Sequence, residues 1–227
     1  MTSKDKLVLN HLSQFVSDHK KEMVNKVLNV RTRHITVVLE DIFQSQNASA
    51  VMRTVECMGL QDIHIIEQLT KYSINPRVLK GADKWLSLIR YNRKHTDNTK
   101  DCFSHLHEHG YRVLVADPSP EGVPVDTIDI ADQKIALVFG NELRGVSESA
   151  MRYADGIIRI PMYGFTESLN VSVSVAICLN ILIPKLHAGA EKHFLRDEEK
   201  ELLRLIWYRK IVRRSDLIEQ EFLRTIQ

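Results

Sequence analysis

The sequence contains few cysteines and no apolar run long enough to cross a membrane. Its three cysteines, at positions 57, 102 and 178, form no CxxC pair, and such an odd, sparse set is typical of reduced thiols rather than of a disulfide framework. The first residues, MTSKDKLVLN, lack the cationic and apolar regions of a signal peptide. No later run approaches the roughly eighteen uninterrupted apolar residues of a membrane span. These absences predict a soluble, cytoplasmic protein that binds no membrane.

The common nucleotide-binding motifs are also absent. No GxGxxG follows the first predicted strand and no GxxxxGK[ST] occurs, which argues against a dinucleotide fingerprint and a P-loop. The histidines of HLHEHG, His105, His107 and His109, alternate along a predicted helix. This spacing spreads them around the helix, so they cannot converge on one metal ion. We interpret them as surface histidines and expect no metal cofactor.

The net charge of +2 conceals a segregation of charge along the 227 residues. Residues 1–34 carry seven basic against three acidic side chains, and residues 76–100 carry seven against two. Residues 35–75 and 101–190 are instead acidic, by three and five charges. The segment LRLIWYRKIVRR, residues 203–214, has five cations, no acid and two aromatic rings. This pattern suits contact with a phosphate backbone, and from charge alone a solvated helix face fits it equally well.

Predicted strands and helices alternate through the middle of the chain. ITVVLE, Ile35–Glu40, is a β-branched run of strand length, and the segment after it has helical apolar spacing up to Gly59. The same succession recurs after DIHII, YRVLVAD, KIALVFG and GIIRIPM. It predicts an α/β fold with a largely parallel sheet between helices, over residues 35–190. Residues 1–34 and 191–227 are predicted to be helical extensions, the second of them basic and broken near Ser215.

Polar residues follow three of the predicted strands. Asn47 and Arg53 lie after the first strand, and Glu142 lies between Gly140 and Gly145 after KIALVFG. The segment GFTESLNVSVSVAICL, which follows the last strand, opens an otherwise apolar helix with four polar residues, Ser168, Asn170, Ser172 and Ser174.

Each strand end also has a purely structural interpretation. Asn47 or the Ser168–Asn170 segment would cap a helix, Arg53 would be a solvated cation, and the loop around Glu142 would be a plain strand-to-helix connection. Ligands of open α/β sheets, however, lie outside the carboxyl ends of the strands, and glycine there lets a ligand approach the backbone closely. Three polar strand ends in one chain therefore favour a ligand site.

The three segments NASAVMRT, VFGNELRGVSE and IPMYGFTESLNVSVSVAI resemble the signature motifs of the SpoU (TrmH-like) branch of the SPOUT RNA methyltransferases. The resemblance covers roughly residues 30–190 and rests on three motifs in the expected order. KGADKWL, Lys80–Leu86, is similar to a segment of the tRNA-modifying TrmH members. Short helical extensions, in place of a separate RNA-binding domain, also favour that subgroup.

The resemblance implies the SPOUT fold with a C-terminal trefoil knot, an obligate homodimer and S-adenosylmethionine as the methyl donor. By position, the residues that it implies for cofactor binding are Ala116, Gly140, Ile160, Met162 and Leu169. The residues that it implies for catalysis are Arg53, Asn47, Glu142, Ser168 and Asn170. Arg53 matches the catalytic arginine, which either accepts the ribose 2′-OH proton itself or stabilises the developing alkoxide while a substrate phosphate takes the proton.

The same resemblance implies a tRNA substrate, with a D-loop guanosine at tRNA position 18 as the target. The basic residues expected to contact tRNA are Lys84, Lys185, Arg209, Lys210, Arg213 and Arg214. The segment after the last motif, NILIPKLHAG (residues 180–189), has Lys185 as its one lysine or arginine. Related enzymes often have several cations there. The alternatives are another tRNA or rRNA site, a SPOUT protein that binds RNA without catalysis, and an unrelated α/β enzyme for small molecules.

Overall fold

The computed structural model describes residues 1–189 and 193–226. In these ranges the strands are β1 (Ile35–Glu40), β2 (Asp62–Ile66), β3 (Ser87–Tyr91), β4 (Tyr111–Ala116), β5 (Val123–Pro124), β6 (Lys134–Phe139) and β7 (Gly156–Arg159). The α-helices are α1 (Ser3–Ser13), α2 (Asp18–Val30), α3 (Ser45–Cys57), α4 (Pro76–Leu79), α5 (Asn98–Glu108), α6 (Glu148–Tyr153), α7 (Val171–Ala188), α8 (Asp197–Ile211) and α9 (Ser215–Thr225). Short 3-10 turns cover Ala82–Lys84 and Val125–Thr127.

The strands form one sheet in the order β3-β2-β1-β6-β4-β7-β5, and every neighbouring pair is parallel. The predicted α/β architecture with a parallel sheet is confirmed. The sequence patterns missed β3 and β5. β3 is an edge strand whose residues are only partly buried, and β5 has two residues, so neither produces an apolar run.

The sheet is buried because successive side chains point to opposite faces and both faces are covered. One face packs against α5 and α6 in a single apolar cluster. The strands contribute Val38, Val113 and Val138, and the helices contribute Phe103, Leu106 and Ala150. On the other face, Val37, Leu39 and Leu137 are fully buried as well. Parallel strands with two covered faces read as continuous apolar runs, which explains why β1, β4 and β6 were evident in the sequence.

Helix α7 is the one described helix that is long and apolar enough to span a membrane, with a mean hydropathy of 1.7 over 18 residues. Val175, Cys178, Leu179 and Leu182 on this helix are fully buried, and it packs against α3. We therefore interpret α7 as a core helix.

The chain divides into two compact units, residues 32–193 and residues 1–31 together with those from 194 onward. The second unit contains α1, α2, α8 and α9; within it α1 packs on α8 and α9. The predicted break near Ser215 is confirmed, since α8 ends at Ile211 and Arg214 adopts a left-handed backbone with φ 56°. The domain boundary predicted after residue 34 stays a prediction, and the one between residues 190 and 191 lies outside the described residues.

Candidate active site

A cavity of about 800 Å³ lies at the carboxyl edge of the sheet, among the segments that follow β1, β4, β6 and β7. It is lined by all five residues predicted to bind the cofactor, Ala116, Gly140, Ile160, Met162 and Leu169, and by four predicted catalytic residues, Asn47, Glu142, Ser168 and Asn170. Parallel strands bring these segments to one edge. The structure thus assembles in one place residues that are more than 100 positions apart.

Gly140 lets the loop after β6 fold back on itself. A Cβ atom at this position would lie 2.3 Å from the carbonyl carbon and oxygen of Gly145 and 2.4 Å from the amide nitrogen of Val146. Asn141 and Gly145 exchange backbone hydrogen bonds of 2.8 and 2.9 Å across the turn. Since backbone atoms cannot move aside as a flexible side chain can, glycine is required at position 140, and the loop presents its backbone to the cavity.

We therefore expect Gly140→Ala to weaken cofactor binding about tenfold or more, because the methyl group must displace the Gly145 turn. Calorimetric titration with S-adenosylmethionine measures the effect. Gly164→Ala is the matched control, since a Cβ there meets no atom within 4 Å. Equal affinities for the two variants would show that the shape of the loop does not determine cofactor binding.

Glu142 connects the loop after β6 to the start of α3. Its Oε2 accepts a hydrogen bond from the backbone N–H of Phe43 at 2.9 Å, and its Oε1 accepts from the N–H of Gln44 at 3.2 Å and from Asn47 Nδ2 at 2.8 Å. Burial would raise the pKa of Glu142, but these donors outweigh it and hold that pKa below its usual range. Glu142 is therefore ionised at neutral pH and serves as a fixed acceptor.

Asn170 explains part of the polar entrance of α7. Its Oδ1 accepts hydrogen bonds from the N–H of Ser172 at 2.9 Å and from the Ser172 hydroxyl at 2.6 Å, so it caps the helix. Its Nδ2 donates to Asn47 Oδ1 at 3.1 Å. The capping interpretation therefore applies to Asn170, and the same side chain also lines the cavity.

The suggestion that Asn47 caps α3 is wrong. The N-cap of α3 is Gln44, and Asn47 is the third residue of the helix. Asn47 is buried and lies between Glu142 and Asn170. It donates a hydrogen bond to Glu142 and accepts one from Asn170. These three residues, which we call the amide–carboxylate cluster, come from three different segments of the chain.

Arg53 lies on α3 but does not line the cavity. Its side chain is exposed, as expected from its place off the apolar face. Six positions along an α-helix correspond to about 9 Å of rise and a direction about 120° away from that of Asn47. The cavity of one chain therefore contains the amide–carboxylate cluster without the arginine.

The profile of the SpoU rRNA Methylase family matches residues 34–180. A tRNA (guanosine(18)-2′-O)-methyltransferase of Borreliella burgdorferi is 42% identical over 92% of this chain and 93% of its own length. The chain belongs to the SpoU family. A Thermus thermophilus enzyme of the same name is 32% identical over 72% of this chain and 81% of its own. The crystal structure of the A. aeolicus TrmH/SpoU tRNA modifying enzyme superposes with a TM-score of 0.75, at 27% identity, over 87% of this chain and 98% of that one.

Two basic residues that the SpoU resemblance pointed to are held by neighbouring groups. Lys185 Nζ donates to the carbonyl oxygens of Asp126 and Ile128. Arg209 donates to both oxygens of Glu219, at 2.8 and 2.6 Å. Lys84, Lys210, Arg213 and Arg214 have exposed side chains. Lys185 is exposed as well, and contacts of all six residues with RNA stay predictions.

The three cysteines of this SpoU family member are free thiols, with Cys102 and Cys178 buried and Cys57 exposed. No group of three or more potential metal ligands occurs in residues 1–189 and 193–226. Sequence reasoning overlooked several polar residues around the site, among them Glu40, Asp41 and Asn141. Their partners lie in other loops and at the starts of helices α5 and α6, and no local sequence pattern predicts such contacts.

Proposed function

We propose that this SpoU family member is an S-adenosylmethionine-dependent 2′-O-methyltransferase that modifies the guanosine at position 18 in the D-loop of tRNA. One observation carries the proposal. The amide–carboxylate cluster adjoins the cavity lined by the predicted cofactor residues, in a chain 42% identical to a tRNA (guanosine(18)-2′-O)-methyltransferase over nearly the full length of both.

The residues of the cavity fit S-adenosylmethionine. The backbone around Gly140 is accessible for hydrogen bonds because a close approach to Gly145 excludes any side chain there. Ile160, Met162 and Leu169 supply apolar surface beside it. When bound, S-adenosylmethionine supplies a methyl group on a sulfonium, which is already electrophilic and requires no metal.

The chain's own residues then have to align the ribose and assist removal of its 2′-OH proton. Asn47 and Asn170 present amide groups at the cavity, and Glu142 fixes the Asn47 amide in one orientation. Ser168, which is exposed at the cavity wall, is positioned for a hydrogen bond with substrate. Because a guanidinium keeps its proton, we assign Arg53 the stabilisation of the developing alkoxide, while a substrate phosphate oxygen takes the proton.

We further infer that the enzyme works as a homodimer. Arg53 is exposed and does not line the cavity of its own chain, so a second copy is the source from which the guanidinium would reach the reacting ribose. Membership of the SpoU family and the exposed apolar rim of the site, Leu143, Tyr163 and Phe165, support this assembly. A C-terminal trefoil knot and a cytoplasmic location complete the proposal.

Mapping the methylated nucleotide tests the proposal directly. The full chain is incubated with unmodified tRNA and S-adenosylmethionine, and the product is digested and sequenced by mass spectrometry. We expect one added methyl group, on the ribose of guanosine 18, and none on a control tRNA with 2′-deoxyguanosine at that position. Methylation at another nucleotide would contradict guanosine 18 as the target. The absence of any transfer would favour a protein that binds RNA without catalysis.

The exposed cations at the end of α8 and directly after it are expected to hold tRNA. Neutralising Lys210, Arg213 and Arg214 together should lower the log–log salt slope of binding by about 2 and weaken binding roughly tenfold to a hundredfold at physiological salt, since each phosphate contact contributes about 0.7 to 0.9 to that slope. Salt titration of tRNA binding measures both quantities. Arg209 is kept intact because its ion pair with Glu219 joins α8 to α9.

Arg152→Ala is the control for this variant, because Arg152 is an exposed cation in the acidic region. It should leave both the slope and the affinity unchanged. Cofactor affinity should also be unchanged in the triple variant, since its three residues lie outside the cavity. A triple variant with wild-type slope and affinity would exclude these cations from tRNA binding.

A further inference from the structure

Two carboxylates beside the cavity take no part in the mechanism proposed above. Glu40 is the last residue of β1 and Asp41 follows it; they are 2% and 8% exposed. A carboxylate is costly to bury unless hydrogen-bond donors surround it. The hydrogen-bond donors around these two residues therefore indicate which segments of the fold they hold together.

Glu40 joins β1 to the starts of two helices. Its Oε1 accepts hydrogen bonds from the hydroxyls of Thr99 at 2.6 Å and Ser147 at 2.7 Å, and its Oε2 accepts from the backbone N–H of Ser147 at 2.8 Å. Thr99 lies in the first turn of α5 and Ser147 is the N-cap of α6. Ser147 also ends the loop that begins at Gly140, so Glu40 fixes one end of the loop that carries Glu142.

Asp41 joins two loops through two different groups. Its Oδ1 accepts hydrogen bonds from the backbone N–H groups of Gln68, Leu69 and Thr70 at 2.8, 2.8 and 2.9 Å. Its carbonyl oxygen accepts a hydrogen bond from Asn141 Nδ2 at 2.7 Å. The backbone of Asp41 has φ 51°, a left-handed conformation that persists in such a residue only where its surroundings hold it. The three hydrogen bonds from residues 68–70 hold Asp41 in this conformation. The conformation in turn sets the direction of the Asp41 carbonyl, which accepts from Asn141.

Asn141 transmits this constraint to Glu142. The Oδ1 of Asn141 accepts hydrogen bonds from the N–H groups of Leu143 at 2.9 Å and Arg144 at 3.2 Å, which shapes the turn around Glu142. The carbonyl of Asp41 fixes the same side chain through its other atom, Nδ2. Displacement of Asn141 would therefore move Glu142 relative to Asn47, its partner at 2.8 Å.

We propose that Asp41 is a positioning residue for methyl transfer, which sets the place of Glu142 through Asn141. The part of the inference that concerns the reaction rests on the proposed function. The coupling from Asp41 to the Glu142 turn rests on the hydrogen bonds alone. Asp41 does not line the cavity, so it acts through these neighbours and not on the substrate.

Kinetics of two Asp41 variants test the role in the reaction. Asp41→Ala removes the acceptor and should lower kcat about tenfold or more, because small misplacements of reacting groups are costly, with KM for tRNA nearly unchanged. Asp41→Asn keeps Oδ1 and tolerates the left-handed backbone, so it should restore most of kcat. Asp129→Ala is the matched control: its Oδ1 accepts the N–H of Ala131 at 2.8 Å in an exposed loop remote from this network, and it should behave as wild type.

Hydrogen exchange of the full chain tests the coupling without reference to activity. In Asp41→Ala, the amides of residues 68–70 should exchange faster, and so should those of Phe43, Gln44 and Leu143, which donate to Glu142 and Asn141 and not to Asp41. Asn141→Ala should accelerate exchange at those three amides and leave 68–70 protected, which keeps the test decisive if Asp41→Ala fails to fold. Unchanged exchange in β6 shows that the sheet is intact.

Three results would overturn the inference. They are acceleration confined to residues 68–70, a kcat of Asp41→Ala equal to that of Asp129→Ala, or an Asp41→Asn variant as slow as Asp41→Ala. If the wild-type chain transfers no methyl group to tRNA, the proposed function fails, and the exchange measurements alone decide whether Asp41 is coupled to Glu142.

Discussion

Arg53→Ala should abolish methyl transfer, with a loss of at least about a hundredfold in single-turnover rate, while the protein stays folded. A group that stabilises developing charge contributes about two to three orders of magnitude to the rate. Arg53 is exposed on α3 and does not line the cavity. Substitution of such a surface residue changes the free energy of unfolding by about 0.5 kcal/mol or less, and cofactor affinity should be unchanged.

The measurement is single-turnover transfer of a labelled methyl group at saturating tRNA, beside calorimetric titration of the cofactor and thermal unfolding. Arg53→Lys keeps the positive charge without the planar guanidinium and should retain part of the activity. Arg152→Ala controls for removal of an exposed cation elsewhere. Near-normal turnover of Arg53→Ala would remove Arg53 from the catalytic role.

Mixing two inactive variants should restore activity if Arg53 serves the site of a second copy. Arg53→Ala and Glu142→Ala are each expected to be inactive. In a mixed dimer, one site combines the intact Arg53 of one chain with the intact Glu142 of the other. An equal mixture should therefore regain about a quarter of wild-type activity, because about half of the dimers are mixed and each has one intact site of two.

The control mixture contains Asn47→Ala and Glu142→Ala. These two residues form a hydrogen bond of 2.8 Å within one chain, so no mixed dimer regains a complete cluster, and no activity should return. Native mass spectrometry shows whether mixed dimers form. If they form and the Arg53→Ala mixture stays inactive, Arg53 acts within its own chain; a chain that is monomeric at working concentrations contradicts the homodimer.

The sequence was most informative where local periodicity and local chemistry coincide. Strands β1, β4 and β6 lie inside the sheet with two buried faces, so each contains a continuous apolar run, at residues 37–39, 113–116 and 135–139. The edge strand β3, with partly exposed residues such as Leu88, has no such run and was missed. Burial that depends on position in the sheet is not visible in a short segment taken alone.

The candidate site was predicted from polar residues at strand ends, and the structure places four of them, Asn47, Glu142, Ser168 and Asn170, around one cavity. Their contacts with one another were not predicted. Asn47 is the clearest case, because the N-cap interpretation fitted its neighbours in sequence. In the folded chain its partners are Glu142 and Asn170, which are 95 and 123 positions away. The absence of Arg53 from the cavity lining agrees with helix geometry, because Arg53 lies about 120° around α3 from Asn47.

The sequence by itself determined the alternation of strands and helices, the glycine at position 140 and the three polar strand ends, because propensity, periodicity and backbone freedom are properties of short segments. Only the tertiary structure decided that β6 lies between β1 and β4. That order places the loops after β1 and β6 side by side, so that Glu142 meets Asn47 and Asn141 meets Asp41. Hydrogen bonds between residues about 100 positions apart depend on strand order and register, which the spacing of apolar residues along one strand does not encode.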